Sequence, residues 1–386
     1  MSVATARDVR WFDPWLVITG GTLLGLGLVM VASASMMIAE RAHGDTFYYL
    51  ERQVIYAAVG CLGALVMSFI PLRLWERFST PLLLAAFALL VAVLIPGVGR
   101  EVNGSTRWLV LGPLRLQASE PARLFIFLFV AGYLVRRREE VETTFKGLAK
   151  PMALTAVAAL LLLAEPDFGA ATVLVAGVLA MLFVGGARVR DFSVLLIGAI
   201  AVFAVLALTS PYRMARLTAF LDPWADPFDS GFQLTQSLIA IGRGGWLGVG
   251  LGEGVQKLFY LPEAHTDFVF AVLAEELGLL GSLAVIALYT ALVWRAFVLG
   301  RQAAATGQLF GAYLAIGIGT WLGLQAFLNI GVNMGLLPTK GLTLPLLSSG
   351  GSSLLATCAA LGLLLRVARE VELSAPTVWL KKEGGA

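Results

Sequence analysis

The sequence predicts an all-α fold: a polytopic membrane protein with ten transmembrane helices and large extracytoplasmic loops. Composition is the first reason. Hydrophobic residues make up 58% of the 386 residues and charged residues only 14%, against about 25% charged in a soluble domain. Mean hydropathy is +0.84. The second reason is length: apolar runs recur at about 20 residues, enough to cross a bilayer as a helix. The third is charge placement, since Lys and Arg concentrate on alternate short connections. A core-rich soluble enzyme is excluded on these grounds. A net charge of +3 is too small to point to nucleic acid.

Ten apolar stretches follow in order, at about 14–37, 50–70, 79–97, 119–136, 149–164, 168–185, 191–210, 266–296, 308–332 and 345–367. The first contains Ala32-Ser33-Ala34, which resembles a signal-peptidase site, but its apolar run is too long for a signal peptide and reads as a retained anchor. With residues 1–13 placed in the cytoplasm, 17 of the 28 Lys and Arg fall on cytoplasmic segments. Both termini are then inside, the helical domain covers 14–373, and 374–386 forms a cytoplasmic tail. Two longer loops, near 98–118 and 211–265, lie outside. Long loops in a compact protein usually carry function. Function is therefore expected on the extracytoplasmic face.

Cys61 and Cys358 both fall inside apolar runs and make neither a disulfide framework nor a metal motif. His43 and His265 are too few for a histidine zinc site, so no metal ligand is assigned.

The densest chemistry precedes the long eighth stretch, in Glu263-Ala264-His265-Thr266-Asp267. Ionisable groups at the mouth of a membrane helix are costly unless they pair or act. In one reading Thr266 caps a helix starting near Asp267, whose charge suits a first turn. In the other, Asp267 is a general base at the water–lipid boundary, its pKa raised by partial burial. The second is favoured. Glu275 and Glu276 follow on the same helix. At about 3.6 residues per turn, Glu275 lies roughly 80° round from Asp267 and Glu276 nearly opposite. Only Glu275 is placed to share a cavity with Asp267, and pairing with Arg or Lys is the preferred role for both.

Ser119-Glu120-Pro121-Ala122-Arg123 opens the fourth stretch, with Ser119 as a candidate N-cap and Glu120 and Arg123 at i,i+3 spacing. That pair is either a structural ion pair or a cavity wall. Glu165-Pro166-Asp167-Phe168-Gly169 reads as a tight outside turn, with Glu165 and Asp167 structural. The glycine-rich segment 242–254, with Arg243, is either a phosphate cradle of backbone N–H groups or a turn re-entering the membrane surface. Lys340 and the serines around Gly350-Gly351, Ser352 among them, either donate to a pyrophosphate or cap the last helix.

With these residues in view, the chain resembles the SEDS family of cell-wall polymerases. The blocks that carry the likeness are Asn103–Trp108, Gln117–Arg123, Glu165–Gly169, Gly231–Ser237, Leu261–Gly278 and Asn333–Ser353. Within the family, Pro262–Asp267 and Leu337–Pro345 look like the division branch, with the elongation branch as runner-up. Two departures stand out: the family's lysine in the fourth stretch is Arg123 here, and its usual Ser-Tyr-Gly-Gly is Ser348-Ser349-Gly350-Gly351.

The resemblance implies a peptidoglycan glycosyltransferase that polymerises lipid II on the outer face of the bacterial inner membrane, at the division septum. It implies that Asp267 is the essential residue. Trp108, Glu120 and Arg123 would line or support its cavity, and Arg107, Gln233, Arg243, His265, Lys340 and Ser352 are the further candidates for substrate contact. Arg243, Lys340 or a divalent cation would balance the departing pyrophosphate, and no other cofactor is implied. The implied partners are an FtsI-like class B penicillin-binding protein and divisome membrane proteins of the FtsQ, FtsL, FtsB and FtsN type. A flippase that moves lipid II across the bilayer is the rival from another class.

Overall fold

The computed structural model describes residues 12–374, apart from 103–104, 112–113, 230 and 259–260. The expected cytoplasmic segment up to residue 11, with Arg7 and Arg10, lies outside the described residues. So do Asn103, Gly104, Gly112 and Pro113 of the first loop, and the tail from 375 with Lys381 and Lys382.

Helix α1 (Pro14–His43) starts with a proline in its first turn and is capped by Asp13, whose Oδ1 accepts from Leu16 N–H at 3.1 Å. It ends at Gly44, held at φ 69°. The chain continues through α2 (Tyr48–Phe69), short α3 (Leu72–Arg77) and α4 (Ser79–Leu94). Strands β1 (Gly99–Val102), β2 (Ser105–Leu111) and β3 (Leu114–Gln117) follow, then α5 (Ser119–Arg136), short α6 (Arg138–Thr143), α7 (Phe145–Ala164), α8 (Phe168–Val184) and α9 (Val189–Leu208). Amphipathic α10 (Pro211–Leu221) and α11 (Phe232–Gly244) occupy the second long loop. The series closes with α12 (Val269–Ala305), α13 (Leu309–Asn333) and α14 (Gly351–Ser374).

Each of the ten apolar stretches coincides with a helix. Seven helices are long and apolar enough to cross a membrane, and α4 and α8 are shorter apolar helices. The remaining one, α5, is buried on almost every side from Ser119 to Leu134, the placement expected of a helix with no polar stripe. It sits at the centre of the bundle, against α4, α8 and α13. At the periphery only Asp191 of α9 is buried, and its bare Val, Ile and Leu side chains suit contact with lipid.

The helical body carries one small antiparallel sheet, in the order β1-β2-β3, where only a long loop was expected. Trp108 stands opposite Arg100 on one side and Gln117 on the other. Thr106, Trp108 and Val110 are the β-branched and aromatic types that favour strands. The sheet is tied into the bundle from far along the chain. Ser352 Oγ accepts from Gln117 N–H at 2.9 Å and donates to the Arg115 carbonyl at 3.1 Å.

A second feature was not foreseen. Helix α12 is broken at Gly278 (φ 67°, ψ −163°), and the glycine-rich segment is threaded into the break. Leu279 and Leu280 donate N–H groups to the carbonyls of Gly245 and Trp246, at 2.9 and 3.2 Å. Val249 and Gly250 donate in turn to the carbonyls of Glu275 and Glu276, at 3.0 and 3.1 Å. Backbone groups freed by the break are thus satisfied by protein, as a low-dielectric setting requires. The approach is close enough to demand glycine: a Cβ on Gly278 would stand 2.3 Å from the Gly248 nitrogen.

Candidate active site

Asp267 lies where the second long loop meets α12, in a turn rather than in the helix. Glu263 adopts φ 54° there, and its carbonyl accepts from Thr266 and Phe268 N–H. The expectation that Thr266 caps a helix beginning near Asp267 is therefore corrected. The helix begins at Val269 without a side-chain cap, and the Thr266 hydroxyl donates instead to Glu263 Oε2 at 2.7 Å. The left-handed residue at 263 consumes the hydroxyl that would have capped.

The backbone at Asp267 is clamped by α13. Asn329 and Asn333, one turn apart, both donate Nδ2–H to the Asp267 carbonyl, at 2.8 and 3.0 Å. Asn333 Oδ1 also accepts from Ala271 N–H at 3.1 Å, and Asn329 donates to the Leu342 carbonyl at 2.6 Å. The two amides thus position both the start of α12 and the 334–350 segment. Gly341 of that segment packs on the carboxylate, where a Cβ would stand 3.2 Å from Oδ2.

The Asp267 carboxyl is half-buried, and burial pushes its pKa up to about 7. Glu263 and Asp167 push the same way, while Arg107 and Arg216 pull it down. Burial is the largest of these influences. Arg107 donates to the carbonyls of Glu165 and Pro166, at 3.0 and 2.6 Å, and Arg216 to that of Thr339 at 3.0 Å.

The α7–α8 turn forms the adjoining wall. Asp167 caps α8 through Ala170 N–H at 3.0 Å and accepts from Gln117 Nε2 at 3.3 Å. Glu165 is fully buried and, among the described residues, neither carboxyl oxygen has a hydrogen-bond partner. Its pKa is driven to about 8, by burial first and Asp167 second. Phe168 lies between two cations, with Lys340 Nζ 5.0 Å and the Arg213 guanidinium carbon 5.1 Å from its ring centre. Burial lowers the Lys340 pKa from its usual value.

Glu120 and Arg123 face each other at 3.6 Å inside the bundle. Arg123 also donates to Gln325 Oε1 at 2.8 Å and lies over the Trp321 ring, while its Nε and Nη2 have no partner among the described residues. The suggested N-cap role of Ser119 is corrected: Ala118 occupies the cap position, no side chain caps α5, and the Ser119 hydroxyl has no partner among the described residues. His265 packs its ring against Tyr49 at 4.8 Å, and its carbonyl accepts from Ser349 N–H at 2.8 Å. Burial depresses the His265 pKa.

Several candidates sit apart from this constellation. Gln233 lies in the first turn of α11. Arg243 faces Glu275 at 3.6 Å, and Glu275 also accepts from Val255 and Gln256 N–H at 3.0 and 3.1 Å. Glu275 is thus engaged away from Asp267 rather than sharing its cavity. Glu276 binds Lys257 at 2.6 Å and Ser33 at 2.7 Å. The N–H groups of Gly248, Val249 and Gly250 in the glycine-rich segment are taken up by backbone carbonyls, and Ser352 is engaged by the sheet. Arg213, Arg216, Asn329 and Asn333 were missed by sequence reasoning. The available signals were arginines three residues apart in an otherwise apolar helix, and two asparagines four apart inside an apolar stretch. Among the described residues no three His, Cys, Asp or Glu converge to hold a metal ion.

Fold and site together define a class: a polytopic helical membrane protein with a polar cluster of side chains centred on a carboxylate at one end of its bundle. Comparison with known proteins narrows it. The family model for FtsW, RodA and SpoVE, described as cell cycle proteins, matches residues 14–373, and the chain belongs to that family. It is 61% identical over 370 residues to a probable peptidoglycan glycosyltransferase FtsW of Thioalkalivibrio sulfidiphilus, covering 96% of this chain and 92% of that one. A protein of the same description from Coxiella burnetii is 53% identical over 365 residues, covering 94% and 98%. Among solved structures, a chain from a study of how a peptidoglycan synthase complex coordinates polymerization and crosslinking superposes with a TM-score of 0.74 at 34% identity, covering 93% of this chain and 98% of that one. The rod shape determining protein RodA of Thermus thermophilus gives 0.68 at 34% identity, covering 93% and 97%.

Proposed function

We propose that this chain is a peptidoglycan glycosyltransferase that polymerises lipid II, with Asp267 as its general base. The observation that carries the reading is the state of that carboxyl: half-buried, fixed through its own backbone, and with a pKa near 7. A base is most useful when its pKa lies near the working pH. The acceptor sugar's 4-hydroxyl loses its proton to Asp267 as its oxygen bonds to the donor's anomeric carbon. The bond from that carbon to the lipid pyrophosphate breaks, and the pyrophosphate leaves with the electron pair. A single displacement inverts the anomeric centre, so one carboxylate suffices and no covalent nucleophile is needed.

The departing anion needs positive charge. Lys340, Arg213 and Arg216 supply it on the same side of the bundle as Asp267, whereas Arg243 is directed to Glu275. A divalent cation at the pyrophosphate would take further ligands from the substrate itself. The prenyl chain would run between helices towards the lipid, with its head group under the sheet and α10.

In this reading the ten helices that cover the apolar stretches all cross the cytoplasmic membrane, both termini are cytoplasmic, and the Asp267 end faces outward. The names of the relatives support a division role at the septum. The complex described for the structural neighbour supports a crosslinking partner, here an FtsI-like class B penicillin-binding protein, with other divisome membrane proteins alongside. The test is reconstitution: purified protein with its transpeptidase partner should build glycan strands from lipid II in vesicles. Movement of lipid II between leaflets without strand formation would overturn the assignment in favour of a flippase.

A further inference from the structure

The end of the bundle opposite Asp267 carries a second polar cavity. Short α3 joins the end of α2 to the start of α4, and Arg73 and Arg77 stand four residues apart on it. A third guanidinium arrives from α5. Arg136, in the last turn, donates Nη1–H to the buried Ser79 hydroxyl at 3.0 Å. Gly132, four residues earlier, makes room for it, since a Cβ there would lie 2.8 Å from the same Nη1. The arginine's position is thus set by a buried hydroxyl and a glycine. Arg73, Arg77 and Arg136 converge with Glu76 and Thr80 on a cavity of about 440 Å³. Among the described residues, no carboxylate forms an ion pair with any of the three. Three cations therefore face one acid.

We infer that this cavity binds the phosphate head group of an anionic phospholipid. Arginine presents paired N–H donors that match phosphate oxygens. Basic pockets between helices at a membrane boundary are suited to such head groups. The rim supplies the second half of the argument. Leu74 and Phe78, beside the arginines in sequence, are exposed, and α2 and α4 lead from this point into the apolar body of the bundle. An acyl chain can lie along that face while the phosphate is held, which a soluble anion does not exploit. A volume of about 440 Å³ lies within the range of small-molecule sites. The site is remote from Asp267 and carries no step of the polymerisation.

The test uses the full-length protein in mild detergent, with lipid retention read by native mass spectrometry. Phosphatidylglycerol and diphosphatidylglycerol should be retained over phosphatidylethanolamine, and R73Q/R77Q should lower that retention roughly tenfold or more. E76Q, which removes the opposing carboxylate, should raise retention, and it keeps the idea testable where the double variant folds poorly. R73K/R77K, which keeps the charge but loses the paired donors, should retain more binding than R73Q/R77Q and less than the unsubstituted protein. Equal retention of zwitterionic and anionic lipid would overturn the proposal, as would retention unchanged by R73Q/R77Q and E76Q. Displacement by millimolar glycerol phosphate would instead assign the cavity to a soluble anion. Capture of an acidic peptide with lipid retention untouched by the substitutions would assign it to a protein partner.

Discussion

Asp267 and the Glu275–Glu276 pair lie within ten residues of one another, yet their circumstances are opposite. The two glutamates are buried and fully engaged, by Lys257, Ser33 and two backbone N–H groups. Asp267 is held firmly through its backbone by Asn329 and Asn333, while its carboxyl is pushed towards neutrality by burial. Glu165, with two unpartnered oxygens, stands on the Asp267 side of this divide. A buried acid supplied with partners shapes the backbone around it. One deprived of partners keeps its proton affinity high, and high proton affinity is what a base requires.

The comparison breaks most sharply at Asp267 itself. Asp267→Asn should leave the fold intact and lower the rate of glycan synthesis by roughly 10²–10⁴-fold, read as strand formation from lipid II. A near-normal rate in a well-folded variant would remove Asp267 from the chemistry. At the other acid cluster the loss should be of stability instead. Lys257→Met alone should destabilise by about 3–5 kcal/mol, because it strands a buried charge. Lys257→Met combined with Glu276→Leu should recover most of that, and thermal unfolding of the three proteins in detergent reads the difference.

The pH dependence sharpens the contrast further. With its pKa near 7, Asp267 is mostly protonated at pH 5, so the rate should fall about hundredfold from its plateau above pH 8. A flat profile over that range would contradict the assignment. The smallest effect is expected at Glu165. A carboxyl whose pKa is raised to about 8 in the fold contributes stability that is fully present below its unfolded value and lost as pH rises through 8. Glu165→Gln should therefore abolish part of the fall in melting temperature between pH 6 and 9, worth about 1–3 kcal/mol at the alkaline end. An unchanged slope would mean that the Glu165 carboxyl is solvated.

Much of this architecture is legible in the sequence. All ten apolar stretches became helices because a run of that length has few other ways to satisfy its backbone in lipid. Asp267 stood out because a carboxylate beside an oily helix has to be explained. What escaped notice depended on partners distant in sequence. Gly278 resembles any small residue in an apolar helix until segment 245–250 is seen threaded against it. Lys257 finds Ser33, 224 residues away, and no local spacing announces that pair. Thr266 misled because capping rules assume a neighbour of ordinary φ, and Glu263 does not have one. The strands of the first loop were hidden by their shortness, between glycines and prolines that read as turns.

The tie from Ser352 to β3 bridges 235 residues, which sets a timetable for assembly. At a ribosomal pace of 5–20 residues per second, the strand waits on the order of 10–50 s for its support to be made. Until α14 is made, β3 lacks this tie, and the sheet rests on α4 and on the hydrogen bonds of Arg107 to the α7–α8 turn.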